Sequence, residues 1–191
     1  MSEKNTKSEK SENKMIGKVL FTQEQIANRA KEIAAQIDKD FEGEEVILLC
    51  TLKGSIMWMV DLMKYMKTDA KIDFISASSY GATTTSSGVV KITHEPTINM
   101  YEKNIIVVED IVDTGRTLTY MMPKLRERGP KCVKLCTMLN KNARREDHVE
   151  PDYIGFEVDD LFIIGYGLDF DQRFRGLPYI SYLDEEDVEN L

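Results

Sequence analysis

Imidazole and thiol are scarce in this chain of 191 residues, and the scarcity removes whole classes of chemistry. Two histidines, His94 and His148, leave almost no room for a multi-histidine metal centre. The three cysteines, Cys50, Cys132 and Cys136, are an odd number and lack the paired short spacings of a zinc site or a disulfide framework. Their neighbours are apolar and strand-like, so reduced thiols in a core are expected. No apolar run approaches the roughly 20 residues that span a bilayer. No apolar segment of signal-peptide type stands at the N-terminus. A cytoplasmic location without a membrane partner is therefore expected. Positive charge is in deficit, with 25 Lys and Arg against 33 Asp and Glu, for a net charge of −8. That balance disfavours general binding to nucleic acid, which depends on neutralising phosphates.

What is present suits a globular domain: 42% hydrophobic and 30% charged residues. The length fits one domain, which buries about 70% of its unfolded surface on folding. Residues 2–14 carry no apolar side chain and read as a disordered tail, leaving 15–191 as a single domain. Thr22 and Gln25 form a capping box, after which Ile26, Ala30, Ile33, Ala34 and Ile37 recur at helical spacing. Residues 46–51 are a continuous apolar run, as in a strand covered on both faces. Residues 54–66 read as a helix whose apolar side is Ile56, Met57, Met59, Val60 and Met63, the methionines serving as core filler. Strands at 72–78 and 89–92 flank a tip at 79–88 rich in Ser, Thr and Gly, a composition that suits a flexible hairpin lid. A strand at 105–108, a helix at 117–128 stopped by Gly129-Pro130, and a buried strand at 132–139 follow. Short strands are expected at 153–156, 162–164 and 179–182. The alternation predicts an α/β fold with a mainly parallel twisted sheet flanked by helices.

The densest chemistry lies in residues 107–118. An apolar strand runs into adjacent carboxylates, Glu109 and Asp110. The turn Asp113-Thr114-Gly115-Arg116-Thr117 then opens a helix. In parallel α/β sheets ligands bind beyond the carboxyl ends of the strands. Backbone N–H groups, hydroxyls and a helix N-terminus there form a phosphate cradle. Neither the Walker spacing nor the dinucleotide glycine pattern is present. Paired acids repel phosphate, so they are expected to face sugar hydroxyls or a divalent cation. The plainer reading, a solvated acidic loop capping a helix, is disfavoured by the apolar strand that leads the acids to a sheet edge.

This segment closely resembles the phosphoribosyl pyrophosphate signature of the type I phosphoribosyltransferases. Leu52-Lys53-Gly54, Ser79-Tyr80-Gly81, Lys141 and residues 151–175 resemble the purine salvage enzymes of the hypoxanthine-guanine kind, and the likeness covers about residue 15 onward. The resemblance implies a small hood formed by the N-terminal and C-terminal segments. It implies that Glu109 and Asp110 hold the ribose hydroxyls and that Asp113, Thr114, Gly115, Arg116 and Thr117 hold the 5-phosphate. Asp113 would take the purine N7 proton as general base, a role that suits a carboxylate. Lys53 and Gly54 would bind pyrophosphate through backbone N–H groups, in a loop that often has a cis peptide before the lysine. Lys141 would donate to the 6-oxo group, Phe162 would stack on the base, and the backbone of Ile163 and Asp169 would meet its 2-position edge. Asp169, with Glu109 and Asp110, would hold Mg2+, and Arg175 would contact the leaving pyrophosphate. Ser79 and Tyr80 would begin the lid. The activity implied is phosphoribosyl transfer to hypoxanthine or guanine by a homodimer or homotetramer. Two rivals stand beside it: a regulatory RNA-binding protein on the same fold, and a transferase for xanthine or a pyrimidine.

Overall fold

The computed structural model describes residues 16–79 and 90–189. The chain runs β1 (Lys18–Phe21), α1 (Gln23–Asp40), β2 (Val46–Thr51), α2 (Ile56–Tyr65), β3 (Ala70–Ser79), β4 (Val90–His94), β5 (Asn104–Val112), α3 (Arg116–Arg126), β6 (Cys132–Asn140), β7 (Tyr153–Glu157), β8 (Phe162–Ile164), β9 (Ile180–Leu183) and α4 (Glu185–Glu189). The larger sheet has the order β4-β3-β2-β5-β6-β7 and is parallel except for β4, which pairs antiparallel with β3 at the edge.

Strand alternation divides the core between two faces. Val46, Leu48 and Cys50 of β2 and Ile106 and Val108 of β5 pack with α1 and α2. Ile47, Leu49, Ile105 and Val107 point the other way and pack with Leu118, Met121, Met122 and Leu125 of α3. Both faces are covered, which is why these strands are continuously apolar. The expected capping box opens α1: Thr22 Oγ1 accepts from the Gln25 N–H at 3.2 Å, and the Thr22 N–H donates to Gln25 Oε1 at 2.9 Å. All five apolar residues of its stripe are buried.

The reading of α2 needs correction. Its buried residues are Trp58, Met59 and Leu62. Ile56, Met57, Val60 and Met63 are 37–40% exposed, so Met57 and Met63 are not core filler. The helix is apolar on both sides, and hydrophobic periodicity cannot say which side faces the sheet. Strand β5 also extends past residue 108, because β6 pairs with it as far as Val112↔Asn140. The cysteines follow expectation in part: Cys50 and Cys136 are buried, Cys132 half-buried, and all three are free. Burial pushes the Cys50 thiol up to about 11 and that of Cys136 to about 12, which keeps both protonated.

A second, three-stranded sheet has the order β1-β9-β8 and is antiparallel. It joins the two ends of the chain, with Lys18 opposite Tyr182. Ile163, Tyr166, Leu168 and Ile180 seat it on the α1–α2 side of the core, and the Phe21 ring stacks on Phe156 of β7 at 4.0 Å. No helix among the described residues is long and apolar enough to cross a membrane. The expected tail at 2–14 and the hairpin tip from Tyr80 to residue 88 lie outside the described residues; the arms of that hairpin are β3 and β4.

Candidate active site

From β2 the chain winds through α2 to β3 on one flank, and from β5 through α3 to β6 on the other. The winding reverses between neighbours β2 and β5, and a crevice opens beyond their carboxyl ends. The β2–β5 register ends at Cys50↔Val108, whereas the β5–β6 register continues to Val112. The end of β5 therefore overhangs β2. A cleft there is lined by Thr51, by every residue from Glu109 to Gly115, and by Thr117 and Leu118. The segment singled out in the sequence thus forms most of its wall.

Glu109 is only 5% exposed, and burial, then the charge of Asp110, holds its carboxyl well above the usual range. Burial raises Asp110 as well, although its bond from the Ile111 N–H and the nearby Arg175 oppose the shift. Glu109, buried, and Asp110, half-buried, are short of donors and of compensating charge. They fit sugar hydroxyls or a cation.

A raised pKa means that the folded chain holds these protons more tightly than the unfolded chain. The pair is thus best tolerated below the ordinary carboxylate value and becomes a liability as pH rises through that value toward the folded one. Glu109→Gln should raise the ligand-free Tm at neutral pH, by about 2–4 °C per kcal/mol relieved. The gain over wild type should shrink as the pH is lowered to about 4, where the unfolded carboxylate begins to protonate. Melting curves of both proteins across this range check the sign. A variant no more stable than wild type at neutral pH would contradict it.

Opposite these acids, the peptide between Leu52 and Lys53 is cis. Gly54 lies so close to Asp110 that a Cβ would fall 1.5 Å from Oδ2. Gly167, at φ +102, abuts Gly54 in turn: its Cβ would lie 2.0 Å from the Gly54 carbonyl oxygen. Segments distant in sequence therefore touch here. Lys53 Nζ donates to Gln172 Oε1 at 3.0 Å. Arg175 pairs with Asp169 at 2.7 Å and donates to the Gly167 carbonyl at 2.7 Å. Lys53, Gly54, Asp110, Asp169 and Arg175 form one cluster, and Gln172, absent from the sequence reading, ties its cations together. The only sequence signal for it is its position midway between Asp169 and Arg175.

Gly115, at φ +87, is the N-cap of α3, and the helix N-terminus faces the cleft with backbone N–H groups that have no partner within the helix. The Thr114 carbonyl accepts from the N–H groups of Glu146 and Asp147 at 3.0 and 3.1 Å. Arg116 pairs through its side chain with Glu146, Nε to Oε2 at 2.7 Å, so its contribution to the turn is backbone. Asp113 Oδ1 is buried and has no hydrogen-bond partner among the described residues.

On the β8 side, Lys141 is 6% exposed. Its Nζ donates to the Leu161 carbonyl at 2.9 Å and lies 3.5 Å from Asp160 Oδ1, beside the start of β8. Phe162, the next residue, is 49% exposed and meets Phe170 edge to face, with ring centroids 5.7 Å apart. Ile163 is buried behind it. The Lys141 N–H donates to the Val112 carbonyl at 2.9 Å, which joins this group to the Asp113 turn. Asp160, the partner of Lys141 and Arg144, was not singled out in the sequence. Ser79 ends β3, and Tyr80 lies outside the described residues.

Fold and cleft together define an open, doubly wound α/β protein whose ligand crevice sits at the switch point of its sheet. The chain belongs to the phosphoribosyl transferase family: residues 18–171 match the phosphoribosyl transferase domain. It is 42% identical over 173 residues to the hypoxanthine-guanine phosphoribosyltransferase of Streptococcus thermophilus, covering 91% of this chain and 96% of that one. The protein of the same name from Bacillus subtilis is 39% identical over 168 residues, covering 88% and 93%. A crystal structure of a hypoxanthine-guanine phosphoribosyltransferase from Bacillus anthracis superposes with a TM-score of 0.84 at 43% identity, covering 89% of this chain and all of that one. The chain is thus an enzyme of the phosphoribosyltransferase class.

Proposed function

We propose that this chain transfers the 5-phosphoribosyl group from phosphoribosyl pyrophosphate to N9 of hypoxanthine or guanine, giving the nucleoside 5-monophosphate and pyrophosphate. The observation that carries the reading is the unpartnered Asp113 Oδ1, buried in the wall of the cleft that the turn lines, with the Lys141 N–H tied to the adjoining Val112 carbonyl. As the bond from N9 to the ribose forms and the bond to pyrophosphate breaks, the N7 proton becomes acidic and passes to the Asp113 carboxylate. Glu109 and Asp110 accept the ribose hydroxyls. Asp113, Thr114, Gly115, Arg116 and Thr117 bind the 5-phosphate, chiefly through backbone N–H groups. Lys53, Gly54 and Arg175 bind the leaving pyrophosphate. Lys141 donates to the 6-oxo group, Phe162 stacks on the base, and the backbone of Ile163 and Asp169 meets the opposite edge. Ser79 and Tyr80 begin the lid.

Magnesium is implied by the family resemblance. Among the described residues no three His, Cys, Asp or Glu side chains gather as a metal site, so the pyrophosphate would bring most of the ion's oxygen ligands. Asp169 lies close enough to Asp110 for its charge to raise that carboxyl further, and carboxylate oxygens are the donors a hard cation takes, although Arg175 already pairs with Asp169. Asp169 would hold the ion, with Glu109 and Asp110 nearby. Bound there, magnesium offsets charge on the departing pyrophosphate.

Residues 15–191 form one phosphoribosyltransferase domain in this reading, with β1, β8 and β9 as its hood, working in the cytoplasm. The exposed apolar face of α2 supports assembly as a homodimer or homotetramer.

Pyrophosphate release, measured with magnesium, the phosphoribosyl donor and a panel of purines and pyrimidines, tests the whole reading. Release with hypoxanthine or guanine is expected, and silence with both overturns it. Lys141→Ala should raise KM for hypoxanthine and guanine by about 10–100-fold, the scale of a lost charge-assisted hydrogen bond. Donor affinity should stay near wild type, and equal losses for purine and donor would remove Lys141 from base recognition.

A further inference from the structure

Behind the cleft, the loop after β6 is organised around Arg145. Its Nε donates to the Asp113 carbonyl at 2.9 Å. One terminal nitrogen donates to the Val112 carbonyl at 3.2 Å and to Asn140 Oδ1 at 2.6 Å, and the other to the Val149 carbonyl. Asn140 is 2% exposed, and its amide nitrogen donates to both carboxylate oxygens of Glu157, at 3.0 and 3.1 Å. A continuous path of hydrogen bonds therefore runs from Glu157 on β7, through Asn140 and Arg145, to the backbone where β5 ends. The register with β6 stops at Val112, whose carbonyl still accepts from the Lys141 N–H at 2.9 Å. Beyond that bond no strand pairing among the described residues holds the Asp113 carbonyl, and a planar guanidinium takes over. Arginine suits this task because its donors lie in a rigid fork, so several acceptors in fixed directions are satisfied at once.

We propose that Arg145 is a positioning residue for Asp113. By holding the carbonyls of Val112 and Asp113 it orients the Asp113 carboxyl group toward the N7 proton of the incoming purine. This inference rests on the reading of Asp113 as the general base. Among the described residues Arg145 makes no hydrogen bond to the Asp113 carboxylate; it acts through the backbone.

The test compares kcat, donor Kd and Tm for wild type, Arg145→Ala, Arg145→Lys, Asp113→Asn and the double variant Arg145→Ala/Asp113→Asn. Arg145→Ala should lose about 10–100-fold in kcat, the scale of a roughly 1 Å misplacement, with donor Kd within about threefold of wild type. The double variant should be no slower than Asp113→Asn alone, because groups acting as a unit are not additive. Arg145→Lys keeps the charge but cannot span the same acceptors, so its kcat should fall between wild type and Arg145→Ala. Should the alanine variant melt below the assay temperature, the lysine variant and its double with Asp113→Asn carry the same comparison. Unchanged kcat, a parallel loss of kcat and donor affinity, or losses that multiply in the double variant would each overturn the proposal. Full activity in Asp113→Asn would overturn the base assignment and this proposal with it. A slow Asp113→Asn beside a fully active Arg145→Ala would overturn this proposal alone.

Discussion

Asp113→Asn should lower kcat for hypoxanthine or guanine by about 10²–10⁴-fold, the range attributed to a positioned general base. The variant keeps the size and planarity of the side chain but loses the ability to accept a proton. Asp113 Oδ1 is buried and without a partner among the described residues, so the protein offers it no hydrogen bond for the substitution to break. Tm should therefore change little. Donor affinity should also hold, because the backbone of the turn is fixed by bonds that leave the carboxyl group alone. Rapid-quench or steady-state rates with a direct binding measurement separate the two effects. Turnover at the wild-type rate in Asp113→Asn would remove it from proton transfer.

Gly54→Ala should have the second large effect, and on stability and activity together. The new methyl group would fall 1.5 Å from Asp110 Oδ2 and 2.5 Å from its Cγ. Asp110 cannot simply swing aside, because its Oδ1 accepts from the Ile111 N–H at 2.9 Å. The loop cannot simply retreat either, since Gly167 already packs against the Gly54 carbonyl. Overpacking of this kind costs about 1–3 kcal/mol. That corresponds to a fall in Tm of about 2–4 °C per kcal/mol. Displacing Asp110 or Lys53 by about 1 Å should cost on the order of 10²-fold in turnover. Gly43→Ala is the control: its Cβ meets nothing within 4 Å, and at φ +74 it pays only for its left-handed backbone. It should lose some stability and no activity. Equal activity in Gly54→Ala and wild type would show that the approach of Gly54 to Asp110 is not needed for turnover.

Much of this architecture was legible in the sequence for a physical reason. The stretches 46–50 of β2 and 105–108 of β5 are covered on both faces, and so are written as unbroken apolar runs. The capping box of α1 and the acid-to-glycine turn before α3 are local patterns that need no partner to be read. What the sequence hid is non-local. The outward face of α2 looks the same as its inward face, because both are apolar. Nothing in the loop after β6 distinguishes Arg145 from the exposed Arg144 beside it, since carbonyls as acceptors leave no mark on the side-chain pattern. The contact of Lys141 with the Leu161 carbonyl, and that of Lys53 with Gln172, depend on chain closure over 20 and 119 residues. The resemblance to phosphoribosyltransferases singled out Lys53 and Lys141, but not the partners, Gln172 and the Leu161 carbonyl, that they meet.

If Lys53 and Arg175 bind the leaving pyrophosphate, as proposed, the side chain of Gln172 gives that pocket a built-in rival. Lys53 and Arg175 both reach its Oε1, at 3.0 and 3.4 Å, and Asp169 already neutralises Arg175. An anion arriving here exchanges existing bonds for new ones and gains only the difference. Stray phosphate from the medium, with few contacts to offer, has little to win. A ligand that also engages ribose and base groups elsewhere in the cleft can meet the exchange. In the proposed reaction the same arrangement would favour turnover: pyrophosphate severed from the sugar would lose those distant contacts, and Gln172 would reclaim the cations.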